Sequence, residues 1–268
     1  MPLGLCHCRE AGKTLVWDDQ QRIYLLDRRG ADIAQRELSA ALASAAAADD
    51  GSAFVAGTKA GQLSWFSADL STTWERTLDH SAVALALDSF GKYVAIADRT
   101  AKLQALDQQG GTRWQTQAVK SLLHLAFVPE AQLLIGAAEF GLVAGYDFSG
   151  RSVWRDTPVA HIGSLSVTAD GRRICLACFS DGLRTYSLEG KPKEGPSQPC
   201  RLASLSADGR RLLLADNGTG LHLFDEAGKE ILTHAIDSQP VAAVLDALGN
   251  RAFIALPERS IVCLDLAT

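Results

Sequence analysis

The sequence lacks any apolar run long enough for a transmembrane helix, which needs about eighteen consecutive apolar residues. Its richest tract, residues 40–48, is short and contains Ser44. Residues 1–10 do not show the basic start and the following apolar stretch of a secretory signal. We therefore expect a cytoplasmic protein that does not insert into membranes.

Basic residues are in the minority. Lysine and arginine together number 26, against 31 aspartates and glutamates, which gives a formal net charge of −5. Dedicated nucleic-acid-binding proteins usually carry a basic excess, because they must neutralise phosphates. We therefore expect no nucleic-acid partner.

Cysteine is scarce, with six residues in a chain of 268, and a chain of this length does not need disulfides for stability. Cys175 and Cys178 have the C-x-x-C spacing of many metal and redox sites, but they lie in a predicted strand, where residues three apart point to opposite faces. We interpret them as buried structural thiols. Cys6 and Cys8 share one strand face, with His7 on the other, and a metal site there is the weaker alternative. We predict no metal site.

The sequence does contain a repeat of about forty residues. Apolar residues make up 47% of the chain, which is enough for a large core. A recurring turn ends at Gly30, Gly110, Gly150, Gly190 and Gly228, residues 67–70 occupy the same slot in the second copy, and Leu264 and Asp265 begin a seventh. A fixed period of this size with strand-like units is typical of a β-propeller. Seven copies in this chain correspond to roughly 38 residues per blade, as in known propeller repeats.

A second turn repeats with the same period. Its residues are Gly12, Gly51, Gly91, Ala131, Gly171, Gly209 and Gly249, at spacings of 39, 40, 40, 40, 38 and 40 residues. A short apolar run follows each of them. Such runs, bounded by Gly and Asp turns, indicate buried strands rather than helices.

Each predicted third strand is apolar at two fixed positions in every copy. These positions are Ile23, Leu63, Leu103, Val143, Leu183, Leu221 and Ile261, and then Leu26, Phe66, Leu106, Tyr146, Tyr186, Phe224 and Leu264. Packing between neighbouring blades would enforce this pattern, because each blade is covered by the next. The sequence therefore predicts an all-β fold, a single seven-bladed β-propeller of four-stranded antiparallel blades. The expected blades span about residues 2–39, 40–79, 80–119, 120–159, 160–197, 198–237 and 238–268.

Three predicted outer strands carry tryptophan at the same phase, at Trp74, Trp114 and Trp154. Segments 107–114 and 147–154, which read Asp-x-x-Gly-x-x-x-Trp, resemble the repeat of PQQ-like, or quinoprotein-type, propellers. The strand pattern is also similar to that of WD-repeat propellers, although no Gly-His opens the repeats and no Trp-Asp closes them. The resemblance implies that each tryptophan docks its blade on the neighbouring one.

The last blade looks incomplete in the sequence. Residues 2–8 already fill the inner strand of blade one, and the sequence reaches Thr268 just after the third strand of blade seven. We predict a three-stranded last blade, with the edge of residues 260–266 open or covered by a partner. An unpaired strand edge can accept a strand from another chain.

The repeated aspartates of the turns are predicted to be structural, because Asp at the first turn position hydrogen-bonds its own backbone. Non-repeating residues are better candidates for a site, and they cluster where the inner strands begin. The candidate binding residues are His80, Lys120, Phe140, His161, Gln198 and Gln239. Phe140 stands in a turn, where it could anchor a partner beside Lys120 and His161 or tuck against a neighbouring blade.

These observations favour a non-catalytic protein-interaction scaffold or a regulatory subunit of a larger assembly, with protein partners on a propeller face or on the open edge of blade seven. The alternative is an enzyme or small-ligand binder that uses the central funnel around His80, Lys120 and His161. A quinone-cofactor protein is a third, lower interpretation. Quinoprotein enzymes need an acidic metal-binding cluster and a dense polar funnel, and neither is found in the sequence, so we expect no cofactor. Fold alone does not decide among these functions.

Overall fold

The computed structural model describes residues 1–193, 195–258 and 260–266, and these form seven antiparallel sheets. Blade one contains β1 (Pro2–Cys8), β2 (Lys13–Asp18), β3 (Arg22–Leu26) and β4 (Asp32–Glu37). Blade two contains β5 (Leu42–Ala47), β6 (Ala53–Thr58), β7 (Gln62–Ser67) and β8 (Thr72–Thr77). Blade three contains β9 (Ala82–Leu87), β10 (Tyr93–Asp98), β11 (Lys102–Asp107) and β12 (Thr112–Gln117).

The remaining blades follow the same order. Blade four contains β13 (His124–Val128), β14 (Leu133–Ala137), β15 (Val143–Asp147) and β16 (Ser152–Asp156). Blade five contains β17 (Ile162–Val167), β18 (Ile174–Cys178), β19 (Gly182–Tyr186) and β20 (Pro192–Lys193). Blade six contains β21 (Cys200–Leu205), β22 (Arg211–Asp216), β23 (Gly220–Asp225) and β24 (Glu230–Ala235). Blade seven contains β25 (Ala242–Leu245), β26 (Arg251–Leu256) and β27 (Ser260–Asp265).

Six blades are four-stranded and the seventh is three-stranded in the described part of the chain, as the sequence predicts. The N-terminal strand β1 pairs within blade one, so the described residues show no strand exchanged between the first and last blades. The ring therefore closes through side-chain packing between blade seven and blade one. The alanine-rich β5 is a strand although alanine favours helix, because its place in the repeat pairs it with β6 and this pairing outweighs the local propensity.

The repeated aspartates hold the turns, as expected. The Asp107 carboxylate accepts hydrogen bonds from the backbone N–H groups of Gln109 and Gly111 at 3.1 and 2.8 Å. Gly110 closes the same turn with a φ of 79°, in the left-handed region that favours glycine. At the equivalent turn of blade four, hydrogen bonds from Ser149 and Arg151 lower the pKa of Asp147 to about 2.

The outer-strand tryptophans dock each blade on the next, as the family resemblance implies. The Trp74 indole N–H donates to the Gln108 carbonyl of the next blade at 2.8 Å, and that of Trp154 donates to the Leu188 carbonyl at 2.8 Å. The indole of Trp154 lies so close to Gly190 that a Cβ there would be 2.4 Å from it. A glycine is therefore required where the indole lands.

A cluster of apolar side chains closes the ring between blades seven and one. Phe253 of β26 is fully buried against Leu5, Val16 and Leu26 of blade one. The imidazole of His7 stacks on the Phe253 ring, with centroids 5.1 Å apart. This seam replaces the strand exchange that would otherwise join the two ends of the ring.

The cysteines behave as buried residues of the core. Cys175 and Cys178 are both fully buried in β18, and they pack into different clusters on opposite faces of the strand. Burial raises the pKa of Cys175 to about 12, which disfavours the reactive thiolate. The structural role predicted for the C-x-x-C pair is confirmed.

Candidate functional site

The two faces of the disc differ in which loops they carry. Because successive strands run in opposite directions, the loops joining second to third strands share one face with the connections between blades. We call this the upper face, and the other the lower face. All six candidate residues lie in upper-face loops or connections, at the ends of the strands given above.

Lys120, Phe140 and His161 come together on the upper face, at the junction of blades four and five. The Lys120 Nζ donates to the Phe140 carbonyl at 3.1 Å and lies 5.7 Å from the centre of its ring. The rings of Phe140 and His161 are 4.8 Å apart, and the two residues form an isolated β-bridge. A cation over an aromatic face is favourable, so these contacts hold the Phe140 ring in place.

Phe140 combines both alternatives that the sequence left open. One side of its ring rests on His161 of the next blade, yet 41% of the residue remains exposed. A turn at Gly141, with a φ of 66°, presents it. Phe140 is therefore an aromatic side chain that is both positioned and accessible.

Other apolar side chains are exposed around it. Val159 lies in the connection to blade five and is 77% exposed, and Val119 precedes Lys120 and is 65% exposed. Leu123 and Phe179 are exposed to a smaller extent. We call Val119, Leu123, Phe140, Val159 and Phe179 the upper-face patch. Single exposed apolar residues are ordinary, whereas several at adjoining blade junctions make this patch a candidate interaction surface.

Phe179 is the member that sequence reasoning missed. It follows β18 directly, and Phe140 comes three residues after β14, so an aromatic residue in a second-to-third-strand loop was the available signal. The Arg201 guanidinium lies 5.9 Å from the centre of the Phe179 ring. The Phe179 N–H donates to the His161 carbonyl at 3.1 Å, which ties Phe179 to the same junction.

The other three candidates lie apart from this group. His80 is exposed in the connection between blades two and three. Gln198 donates through Nε2 to the His222 Nε2 at 2.9 Å, and Gln239 donates to the Asn217 carbonyl at 2.7 Å. Gln239 therefore links the start of blade seven to blade six, whereas the Gln198 bond lies within blade six, and the structure does not bring either glutamine to Phe140.

His222 forms a polar cluster that the sequence did not indicate. Its Nδ1 lies 2.9 Å from the Glu230 Oε1, and its Nε2 lies 3.6 Å from Asp216 Oδ2. Gln198 can donate to Nε2 and Nδ1 can donate to Glu230, so both ring nitrogens have hydrogen-bond partners. This arrangement holds blade six together and leaves no nitrogen free for a substrate.

The central channel is polar at its lower end. A cavity of about 220 Å³ runs between the inner strands, with small or apolar side chains over much of its wall. At its lower end Arg9 forms a two-pronged ion pair with Asp49, at 2.8 Å for each contact, and the Ser89 hydroxyl donates to the same carboxylate. Arg9 also reaches across to the Val167 carbonyl at 3.4 Å.

Arg9, Asp49 and Ser89 follow one another at forty-residue intervals, so they occupy the same position in three successive blades. That spacing was a signal that sequence reasoning did not use. The interactions pair the charges with each other and narrow the channel on the lower face. Within the described residues, no group of three or more His, Cys, Asp and Glu side chains is placed to hold a metal ion. The same residues contain no helix long and apolar enough to cross a membrane.

Comparisons with known proteins point to one family. A family profile described as outer membrane protein assembly factor BamB matches residues 88–264, which is more than half of the chain. No curated protein matches the sequence.

Among solved structures, the hydrazine synthase of Kuenenia stuttgartiensis superposes with a TM-score of 0.83 over 98% of this chain and 95% of its own, at 10% identity. At that identity the likeness shows the propeller fold alone. In addition, 1832 chains of solved structures match this chain. A fold shared by so many proteins does not discriminate among functions.

Proposed function

The chain belongs to the family of the outer membrane protein assembly factor BamB, and we propose that it is a non-catalytic protein-interaction scaffold or regulatory subunit of a larger assembly. The name of the family describes an assembly factor, which is consistent with a protein that works by contacting other proteins. The proposed partner-binding surface is the upper-face patch.

The observation that carries the proposal is the geometry of Phe140. Interface hot spots are enriched in aromatic residues that are rigid before binding and surrounded by weaker contacts. Phe140 is held by Lys120 and His161, and the exposed Val119 and Val159 lie beside the same blade connections. A partner that covers this patch would bury apolar surface without first having to order it.

The cations at the patch indicate the chemistry of the partner. Lys120 and Arg201 both lie against exposed aromatic rings, so they are close to any surface that covers those rings. We propose a partner surface that combines apolar side chains with carboxylates. Such charge complementarity would mainly raise the association rate and the specificity.

Substitution of Phe140 by serine tests this surface. We expect the F140S variant to fold and to bind its partner at least about tenfold more weakly, since truncation of a central aromatic anchor removes much of the binding energy. The matched control is Phe90→Ser, which removes an exposed aromatic residue from the lower face. Each protein is purified from its native host after reversible crosslinking, and the crosslinked sites are mapped by mass spectrometry.

The proposal requires a partner that is recovered with the wild type and with F90S, crosslinks near the upper-face patch, and is depleted with F140S. Equal recovery with F140S would contradict it. If the wild-type protein is recovered without any partner, and the purified monomer turns over a small molecule, the enzyme alternative would be favoured.

We also propose that the protein is cytoplasmic. All six cysteines are free thiols, and Cys6 and Cys263 are only partly buried, which suits a reducing compartment. The name of the family points instead to the outer membrane, so subcellular fractionation is a direct test. Recovery in the membrane or an extracytoplasmic fraction would contradict the proposal.

A further inference from the structure

Among the described residues, no fourth strand lies outside the third strand of blade seven, as one does in each of the other blades. In β7 and β11 the four central residues are buried, because a fourth strand lies outside them. In β27 the equivalent residues Ile261, Val262, Cys263 and Leu264 are all partly exposed. The residues of β27 are as apolar as those of its counterparts, so the difference is the missing neighbour.

The backbone of β27 is also open to pairing. In blade one the N–H of Asp27 donates outward to Ala31, in the turn that leads to the fourth strand. Asp27 corresponds to Asp265 in blade seven. Backbone polar groups alternate in direction along an antiparallel strand, so the N–H and C=O groups of Ile261 and Cys263, four and two residues earlier, also point away from β26. Within the described residues no strand pairs with this side of β27.

Cavities lie on both sides of the open edge. On the side of blade one, a cavity of about 260 Å³ is lined in part by Val16, Leu26 and Ile261. On the side of blade six, a cavity of about 370 Å³ is lined in part by Leu223 and Leu266. Side chains of a strand point alternately to its two faces, so one added strand would fill both cavities.

We propose that the edge of β27 is a strand-acceptor site, which binds an extended peptide segment of a partner protein antiparallel to β27, with an aromatic side chain opposite Cys263. Strand addition of this kind draws affinity from main-chain hydrogen bonds and specificity from side-chain pockets. The site is separate from the upper-face patch, and it goes beyond the proposed function because it states the conformation and chemistry of the bound segment.

The aromatic position follows from the complete blades. The tryptophans of β8, β12 and β16 lie opposite Trp65, Ala105 and Gly145, each two residues before the turn. They cover a glycine of the next blade, and the indole of Trp114 lies 2.5 Å from where a Cβ of Gly150 would be. The equivalent residues at the open edge are Cys263 and Gly30.

The described residues leave room for such a ring beside Gly30. Among the described residues, only the Cβ of Cys263 comes within 4 Å of a Cβ placed on Gly30, at 3.6 Å. The Arg28 carbonyl, which corresponds to the acceptors of the Trp74 and Trp154 indoles, receives a hydrogen bond from Arg251 at 2.7 Å. A carbonyl has a second lone pair, so an indole N–H can still approach it.

A second copy of the chain is a poorer occupant than a partner peptide. Pairing of two β27 edges would place only the side chains of residues 260–265 in the cavities, and this segment, Ser-Ile-Val-Cys-Leu-Asp, contains no aromatic residue. The space over Gly30 would then stay unfilled. We therefore assign the site to a segment with an aromatic anchor.

The test uses a peptide that copies the outer strand of blade four. The probe is fluorescein-labelled Arg-Ser-Val-Trp-Arg-Asp-Thr, residues 151–157, and binding to the full chain is followed by fluorescence anisotropy. We expect saturable binding, weakened at least about tenfold when alanine replaces the tryptophan of the peptide. Cys263→Pro should abolish binding, because it removes the outward N–H and blocks the approaching strand.

The C263P variant is expected to stay folded, since proline is tolerated in an edge strand where its nitrogen faces outward. Circular dichroism checks this, and Cys263→Ala, which keeps the N–H, should bind the peptide as the wild type does. Absence of saturable binding to the wild type, or equal binding by C263P, would overturn the proposal. So would a wild-type dimer that C263P converts to a monomer, because the edge would then belong to a second copy. F140S should bind the peptide normally, which separates this test from that of the upper-face patch.

Discussion

Phe253→Ala is expected to lower the free energy of unfolding by about 3–5 kcal/mol, as large-to-small changes of buried aromatic residues do. Phe253 has no exposed surface and packs between blades seven and one, which exchange no strand in the part of the chain that the structure describes. Chemical denaturation monitored by tryptophan fluorescence measures the loss.

The matched control is Phe54→Ala, since Phe54 is equally buried in the seam between blades one and two. We expect a similar loss of global stability from both variants. Hydrogen exchange should differ, because F253A opens the closing seam and should raise exchange in β1 and β27 before the other blades. A loss below about 1 kcal/mol for F253A, or exchange raised evenly around the ring, would show that Phe253 does not hold the seam.

Acidification from pH 6.5 to pH 4 is expected to destabilise the protein by about 3 kcal/mol through His7 alone. Burial lowers the pKa of His7 from 6.5 to about 4, outweighing the nearby Asp246 and Asp49, which act in the opposite direction. In this range the unfolded chain binds a proton that the folded protein does not, so stability falls as the pH falls. Thr14 lies 2.9 Å from Nδ1, whereas the buried Nε2 has no hydrogen-bond partner among the described residues, so the protonated ring would be poorly satisfied.

The measurement is the free energy of unfolding of wild type and His7→Gln between pH 7 and pH 4. The difference between the two proteins should shrink or reverse as the pH falls, because H7Q lacks the titrating group. Burial also lowers the pKa of His124, so some pH dependence of the same sign should remain in H7Q. Asp69 and Asp147, whose pKa values lie at about 2, lose their contribution only at lower pH. Parallel pH profiles for wild type and H7Q would show that His7 does not titrate in this way.

The predictions for Phe253 and His7 both concern the seam between blades seven and one. The sequence indicated this seam only indirectly, through its count of strands. Residues 2–8 were assigned to the inner strand of blade one, and blade seven was predicted to have three strands; the described residues confirm both points. The identities of the residues that hold the seam could not be read from the repeat. His7 and Phe253 are 246 positions apart, and only closure of the ring brings their rings within 5.1 Å.

On the upper face, too, the sequence predicted some of the contacts and the structure was needed for the others. The sequence singled out Lys120, Phe140 and His161 from their place in the repeat, and the structure brings them into contact. It also named Gln198 and Gln239, but the structure places Gln198 in a hydrogen bond within blade six and Gln239 in one between blades six and seven. The position of a residue within the repeat shows on which face of the propeller it lies. The direction of its side chain depends on neighbours in the next blade.

The architecture could be predicted from the forty-residue period, because turn glycines, turn aspartates and apolar strand positions are local features that repeat in every copy. Counting strands along the chain also predicted the three-stranded seventh blade that the described residues form. The rings that meet at the closing seam, the way Phe140 is held yet exposed, and the partly exposed position of β27 between two cavities became visible only in the folded ring. These features depend on contacts between blades that are distant in sequence, and such contacts exist only once the ring has closed.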